Sequence, residues 1–255
     1  MKIERLSAWV MAVRAGRAPA RARVFCFPHA GGGASAYTRW GADAPEGIEF
    51  CAVQLPGREG QIGARPFSDL PALLPVLRAE LQPYFDRPFA FFGHSMGALI
   101  AFELASALQA DAGRAPMHVF VSGRRAPHLP PARRPLHQLP PGEFEAALLE
   151  LEGTPNDILA DEELMALIGP TLRADLAVCE TYQHQSRPAL AMPLSAFGGA
   201  DDPEATPGDL DAWRAHTSQF AGVRLFPGRH FYLRERARDV VTAIADAIAA
   251  GSETR

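Results

Sequence analysis

The chain has 255 residues, of which 47% are hydrophobic and 21% charged, and its formal net charge is −4 at pH 7. This length predicts one domain with a large buried core, and the composition is typical of a soluble globular enzyme. The slightly acidic balance gives no reason to expect a nucleic-acid partner, and no apolar run approaches the roughly eighteen residues that a membrane span needs.

The N-terminus and the cysteines favour a cytoplasmic protein. Residues 8–13 are apolar, but this run is too short for the core of a secretion signal and Arg14 follows it. Cys26, Cys51 and Cys179 lack metal-ligand spacing, so we expect three buried, reduced thiols and no metal site. Such thiols persist in a reducing compartment.

Short apolar segments typical of buried strands alternate with helical patterns along the chain. The predicted strands are residues 23–27, 49–53, 89–92, 119–121, 194–197 and 223–226, and the predicted helices are 69–84, 98–108, 210–220 and 235–249. This alternation predicts an α/β fold with a mostly parallel, doubly wound sheet. Functional groups of such a sheet gather at the carboxyl ends of its strands.

One segment interrupts the alternation between the strands predicted at 119–121 and 194–197. Prolines are frequent near its two ends: Pro127, Pro130, Pro131, Pro135, Pro140, Pro188 and Pro193. Helical patterns at 143–152 and 161–182 lie between them. We interpret residues 126–190 as a helical lid inserted into a single domain of residues 1–255. Most of its apolar side chains are expected to pack on the core, and some to face a substrate channel.

The segment "GHSMG", residues 93–97, joins the predicted strand at 89–92 to the predicted helix at 98–108. A serine between two glycines at a strand-to-helix turn is the pattern of a nucleophile elbow. The glycines let two backbones pass closely, while the serine takes a strained conformation that exposes its hydroxyl above the sheet. We therefore predict Ser95 as a catalytic nucleophile.

A serine nucleophile needs a base, and the base needs an acid that fixes its tautomer. The chain order in this kind of fold is Ser, then Asp or Glu, then His. His230 follows the last predicted strand and is the candidate base. The other histidines are disfavoured because they precede the serine in the chain, lie in a predicted strand, helix or the lid, or are adjacent to Ser95. Asp201 and Asp202 both follow the preceding strand, and the Asp-Pro turn favours Asp202. The alternative acid after 119–121 is excluded, because "SGRRAPHLPPARRP" contains no carboxylate.

The oxyanion of an acyl-transfer reaction needs N–H donors. We expect one from the backbone of Met96, beside the nucleophile. The loop after the first predicted sheet strand reads "FPHAGGGASAY", and its three glycines let the backbone approach a ligand closely. We assign the second donor to the N–H of Ala30.

Six segments together carry a family resemblance: "FCFPHAGGGASAY", "AVQLPGRE", "PFAFFGHSMGALIAFELA", "ELMALIGPTLRAD", "FGGADDPEAT" and "LFPGRHFYL". They resemble the type II thioesterases of polyketide synthases and nonribosomal peptide synthetases, from about residue 20 to the last strand. The resemblance implies an α/β-hydrolase fold with a helical lid and a catalytic triad of Ser95, Asp202 and His230. It also implies oxyanion donors at Ala30 and Met96.

The same resemblance implies the substrate. Such enzymes hydrolyse short acyl groups from the phosphopantetheine arm of acyl or peptidyl carrier proteins, which removes stalled or misprimed groups. Because the arm belongs to the partner, we expect no cofactor in this chain, and we expect a monomer. Carrier proteins are typically acidic, so a cluster of arginines beside the lid is a candidate docking surface, with a solvated loop as the alternative: Arg124, Arg125, Arg133 and Arg134.

Three alternatives remain open from the sequence. A general carboxylesterase and a chain-terminating fatty acyl thioesterase would use the same catalytic groups. A catalytically silent protein that binds acyl carriers belongs to a different class, and the intact order of Ser95, Asp202 and His230 disfavours it. Small acyl thioesters are expected substrates in addition to carriers.

Overall fold

Eight strands form one sheet in the computed structural model, which describes residues 1–14, 16, 19–111, 114–151, 153 and 156–253. They are β1 (Lys2–Arg5), β2 (Val10–Arg14), β3 (Ala22–Phe27), β4 (Ile48–Val53), β5 (Phe89–His94), β6 (Val119–Ser122), β7 (Leu190–Gly199) and β8 (Thr217–Phe226). Their spatial order is β1-β2-β4-β3-β5-β6-β7-β8. The six strands from β4 to β8 are mutually parallel, and β1 and β2 are antiparallel to their neighbours. The predicted α/β fold with a mostly parallel sheet is confirmed.

Helices cover both faces of the sheet. They are α1 (Trp40–Asp43), α2 (Leu70–Leu81), α3 (Met96–Ala110), α4 (Pro141–Glu150), α5 (Asn156–Leu159), α6 (Glu162–Glu180), α7 (Pro207–Asp211) and α8 (Ala237–Glu253). Short 3₁₀ turns occupy Ala34–Tyr37, Glu59–Gln61, Gln82–Tyr84, Ala212–His216 and Tyr232–Arg234. None of the helices in the described part of the chain is both long and apolar enough to cross a bilayer.

The central strands are apolar on both faces because each face packs against helices. Every residue of β3 and β5 is buried. On one face, Phe25 and Phe91 belong to a cluster that includes side chains of α2 and α3. On the other face, Phe92 and Phe120 pack with side chains of α8. This two-sided burial explains why these strands read as continuous hydrophobic runs.

Two parts of the sheet differ from the sequence prediction. The predicted helix at 210–220 is wrong over its last four residues, because helical turns end at His216 and β8 begins at Thr217. Pairing with β7 overrides the local helical pattern there, since β7 offers an open edge to the segment. The pair β1 and β2 was not predicted either, because β1 is exposed along its whole length and β2, although largely buried, is an apolar run of only five residues without a regular alternation.

A helical insertion, defined as α4, α5 and α6 with the loops that join them, lies between β6 and β7. Its own small core consists of Phe144, Leu148, Leu159, Met165 and Leu172. A third, short helix accompanies the two that the sequence predicts. The assignment of residues 126–190 as a lid stays a prediction.

Candidate active site

Ser95 lies on the turn between β5 and α3, with φ +54° and ψ −112°. A left-handed φ is uncommon for a residue other than glycine, and it stores strain. Both flanking glycines are required, because backbone atoms lie too close to them to leave room for a side chain. A Cβ at Gly93 would lie 1.9 Å from the carbonyl oxygen of Gly97, and one at Gly97 would lie 2.0 Å from that of Phe27. The elbow expected from "GHSMG" is therefore the observed backbone conformation.

His94 points away from this turn into the core. Its Nδ1 lies 2.9 Å from the Ser122 hydroxyl, which lies 2.6 Å from the Tyr232 hydroxyl. Burial lowers the pKa of His94 well below its usual value, so the ring is neutral. Sequence reasoning excluded His94 as the base but missed the two hydroxyl groups behind it. The pairing of β5 with β6 brings Ser122 to His94, and the 3₁₀ turn after β8 brings Tyr232 to Ser122.

His230 and Asp202 meet across the ends of β7 and β8. The Nδ1 atom of His230 lies 2.8 Å from Oδ2 of Asp202, and the Asp202 side chain is fully buried. The other carboxylate oxygen, Oδ1, accepts the N–H of Glu204 at 2.9 Å. Asp201 is exposed and turned to solvent. The structure thus brings His230 to Asp202, the aspartate that the Asp-Pro turn favoured.

A glycine makes the approach of these two loops possible. A Cβ at Gly199, the last residue of β7, would lie 2.3 Å from the carbonyl oxygen of Arg229 and 2.5 Å from that of Gly228. The backbone before His230 therefore passes directly over the end of β7. This contact was not predicted, although the sequence signal for it is the doubled glycine in "FGGADDPEAT".

The loop after β3 carries Ala30 and is held by a buried ion pair. The N–H of Gly31 donates to Oδ2 of Asp175 at 2.7 Å. Both oxygens of Asp175 also accept from the guanidinium of Arg58, through Nη1 and, at 2.8 Å, through Nη2. Arg58 belongs to "PGRE" and Asp175 to "PTLRAD", two segments that the sequence marks as specific but gives no reason to pair.

Ser95, His230 and Ala30 line one cavity of about 370 Å³. Part of its wall is apolar and comes from the insertion, through Leu148, Leu151, Leu172 and Leu176. His29 also lines the cavity, where burial lowers its pKa to about 3, so this ring is neutral. The arrangement offers a hydroxyl, an imidazole with a buried carboxylate behind it, and an apolar space beside both.

Cys179 also lines the cavity and corrects the expectation for the cysteines. All three thiols are free, and Cys26 and Cys51 are buried as predicted. Cys179 packs against the core but is only partly buried, because it also lines the cavity. Among the residues that the structure describes, no group of three or more His, Cys, Asp or Glu side chains is arranged to hold a metal ion.

The four arginines of the candidate docking cluster do not share one environment. Three contact carboxylates: Arg125 with Asp209 at 2.9 Å, Arg133 with Glu204, and Arg134 with Glu143 at 3.5 Å. Arg124, Arg125 and Arg133 all line the cavity, but Arg124 makes no ion pair with any carboxylate that the structure describes. The cluster is therefore largely neutralised, and Arg124 is its one member at the cavity without a carboxylate partner among the described residues.

Comparisons with known proteins agree with this architecture. The sequence profile of the thioesterase domain family matches residues 22–250. The chain is 43% identical over 222 residues to the gramicidin S biosynthesis protein GrsT of Aneurinibacillus migulanus, covering 87% of each protein. It is 38% identical over 225 residues to the thioesterase PikA5 of Streptomyces venezuelae, covering 88% of this chain and 80% of that protein.

A solved structure extends the likeness to three dimensions. The type II thioesterase BorB from the borrelidin biosynthetic cluster matches with a TM-score of 0.84 at 34% identity, covering 95% of this chain and 98% of BorB. The fold is that of an α/β-hydrolase. The chain belongs to the thioesterase domain family and is a thioester hydrolase. The resemblance to type II thioesterases read from the sequence is confirmed.

Proposed function

We propose that this thioesterase hydrolyses acyl groups from the phosphopantetheine arm of carrier proteins in a polyketide or nonribosomal peptide synthase system. In that role it removes acyl groups that block the synthase. The observation that carries the proposal is the contact between His230 and Asp202 beside Ser95 in one cavity. The similarity to proteins of antibiotic biosynthesis supports the choice of partner.

The proposed reaction begins with Ser95. His230 takes the hydroxyl proton through Nε2 while Oγ attacks the thioester carbonyl, and Asp202 holds Nδ1–H and stabilises the imidazolium. The tetrahedral intermediate then collapses, the carbon–sulfur bond breaks, and the leaving thiolate takes the proton from His230. A water molecule, deprotonated by the same imidazole, attacks the acyl-enzyme and releases the carboxylic acid and free Ser95.

The negative charge on the tetrahedral oxygen needs donors placed in advance. In this proposal the N–H groups of Ala30 and Met96 supply them. Met96 is the first residue of α3, so its N–H has no acceptor inside the helix. Ala30 lies in the loop after β3 and lines the same cavity as Ser95.

The cavity fits a substrate with an apolar acyl group and a long polar arm. Its leucine wall would hold the acyl chain. Arg124 would interact with the phosphate of the arm, which is a charge-assisted contact. The phosphopantetheine group arrives on the carrier, so the proposal requires no cofactor in this chain. All its groups come from one chain, which is consistent with a monomer acting in the cytoplasm.

Replacing Ser95 with alanine tests the proposal. We expect kcat on an acyl-carrier substrate to fall by at least about 10⁴-fold, because the nucleophile is lost while binding is retained. Mass spectrometry of the wild-type enzyme after rapid quenching should detect an acyl adduct on Ser95. Ser218→Ala, on the edge strand β8, is the matched control and should retain full activity.

Substrate preference separates the proposed function from its alternatives. Initial rates should be measured on acyl carriers, acyl-coenzyme A and nitrophenyl esters of the same chain length. We expect acyl carriers to give the highest kcat/KM. A clear preference for simple esters would identify a carboxylesterase, and equal, negligible rates for Ser95→Ala and the wild type would identify a silent carrier-binding protein.

A further inference from the structure

Asp175 connects the helical insertion to the loop after β3. It lies on α6, its side chain is 3% exposed, and it accepts the Gly31 N–H at 2.7 Å. That N–H belongs to the peptide bond that follows Ala30. Holding this peptide plane restrains ψ of Ala30, which is the torsion that relates the plane to the backbone nitrogen of Ala30. A side chain of the insertion therefore determines how the loop backbone lies next to the elbow.

Arg58 holds Asp175 in this position and is itself fully occupied. Nη1 donates to the Gly32 carbonyl at 3.1 Å in addition to Asp175, and Nε and Nη2 donate to the Pro56 carbonyl at 3.2 and 3.0 Å. Its side chain is 6% exposed. Because each N–H donor of this guanidinium already has an acceptor, the group is not free to bind substrate. It serves as a rigid support between two loops and α6.

Two further contacts attach α6 to the same loops. The hydroxyl of Thr171, one helical turn before Asp175, donates to the Gly57 carbonyl at 2.7 Å. Leu172 packs so closely on Gly31 that a Cβ there would lie 2.4 Å from its Cδ2. Gly31 has φ +76° in a run of three glycines, which by itself would sample many conformations. The observed loop conformation thus depends on α6.

We propose that Asp175, supported by Arg58, is a positioning residue that sets the Ala30 N–H as an oxyanion donor, so that the insertion completes the catalytic site. The inference rests on the proposed role of Ala30. It makes packing of α6 against the loop a condition for catalysis. The insertion then has a function beyond covering the acyl chain.

The ion pair also has an electrostatic consequence. An unpaired carboxylate next to the loop would oppose the negative charge that develops on the substrate oxygen. Arg58 neutralises that carboxylate and lets Asp175 orient the N–H without this penalty. Loss of Arg58 should therefore harm catalysis more than loss of Asp175, because it leaves a buried and uncompensated negative charge beside the site.

The test compares Asp175→Asn with Glu103→Gln. Glu103 makes a similar two-point ion pair with Arg187, also close to the insertion but away from the loop. We expect Asp175→Asn to lower kcat by about 10- to 100-fold, less than loss of a whole donor, with KM changed less than twofold. Glu103→Gln should leave both constants near the wild-type values.

Two inhibitors distinguish positioning from a general loss of structure. An acyl trifluoromethyl ketone forms a tetrahedral adduct with Ser95, whereas a non-hydrolysable acyl amide of pantetheine binds only as a ground-state analogue. In Asp175→Asn we expect the affinity for the ketone to fall in parallel with kcat and the affinity for the amide to stay constant. Far-UV circular dichroism and thermal unfolding report whether each variant is folded.

Arg58→Lys is a second variant in case Asp175→Asn does not fold, because it keeps the charge but loses the two-point contact. It should show the same split between the two inhibitors, with a smaller loss of kcat. Folded variants with unchanged kcat and unchanged ketone affinity would overturn the proposal, as would equal losses for both inhibitors. A fully active Ser95→Ala would instead refute the proposed function, so the two failures are distinguishable.

Discussion

The sheet and the helical insertion hold their functional groups in different ways. In the sheet, Ser95 is positioned by its backbone, through the strained turn and the close approach of Gly93 and Gly97. In the insertion, α6 is attached to the loops by side chains, through Asp175 and Thr171. Its own core contains only five buried apolar side chains in the described part of the chain.

This difference has a consequence for the enzyme. Backbone geometry backed by a large core leaves Ser95 little freedom, because any displacement would break the packing of several strands. The contacts between the insertion and the two loops are made by a few side chains, so losing them would leave the sheet folded. The sheet therefore fixes Ser95, and the insertion bounds the cavity and holds the loop after β3.

The largest expected effect is on the free energy of unfolding. It distinguishes a glycine of the elbow from a glycine of the helical insertion. Gly97→Ala places a Cβ 2.0 Å from the Phe27 carbonyl oxygen, a backbone atom that cannot move aside cheaply. We expect a loss of at least about 3 kcal/mol in the free energy of unfolding. Gly142→Ala, in α4, meets no atom within 4 Å and should stabilise the protein by up to about 1 kcal/mol.

Urea unfolding of both glycine variants measures this contrast. Equal stabilities for the two variants would mean that the elbow backbone can relax, and the comparison between the regions would lose its main support.

A smaller effect is expected for two arginines, one at the end of a sheet strand and one that contacts the insertion. Arg124 follows β6 and lines the cavity, whereas Arg134 lies in the loop before α4, is 71% exposed and contacts Glu143 of α4. Arg124→Ala should raise KM for acyl carriers about tenfold, equivalent to about 1.4 kcal/mol, by removing a charge-assisted contact with the arm's phosphate. Small acyl thioesters without phosphate should be unaffected.

Arg134→Ala is the matched control and should change neither constant, because a solvated surface pair contributes little. Steady-state kinetics on both substrate types checks the prediction. If Arg134→Ala raised KM by the same factor, the effect of Arg124→Ala would reflect electrostatic attraction by the whole arginine cluster and not a specific contact of Arg124.

The last effect is a pH dependence of stability that arises in the sheet and accumulates over the acidic range. His118 precedes β6, its Nε2 lies 2.8 Å from the Ser195 hydroxyl, and burial lowers its pKa to about 4. Between pH 6.5 and 4 the unfolded chain binds a proton that the folded chain does not. His118 therefore lowers the free energy of unfolding as pH falls through this window, by up to about 1.4 kcal/mol per pH unit.

His118→Gln removes this contribution, so its stability should depend less steeply on pH between 6.5 and 5 than that of the wild type. Ser195→Ala is the control, because it removes the hydrogen-bond partner but keeps the titrating ring. Urea unfolding at several pH values tests this prediction. Parallel plots of the free energy of unfolding against pH for His118→Gln and the wild type would contradict it.

The sequence predicted the central sheet and the two strand ends that carry Ser95 and His230. Local patterns suffice there, because a buried parallel strand reads as an apolar run and an elbow needs glycines at fixed positions. Prediction failed at 217–220, where pairing at the edge of the sheet outweighed helical periodicity. It also missed the partners Ser122 and Tyr232, whose contacts join residues 110 positions apart.

What the sequence predicted by itself was therefore the fold class and the family, which are confirmed, and a candidate nucleophile, base and acid. Only the tertiary structure decided which side chains support them. Arg58 and Asp175 are 117 positions apart, and their pairing depends on how α6 packs over two loops. No local pattern encodes such a contact, because its free energy depends on burial and geometry that exist only when the distant segments come together.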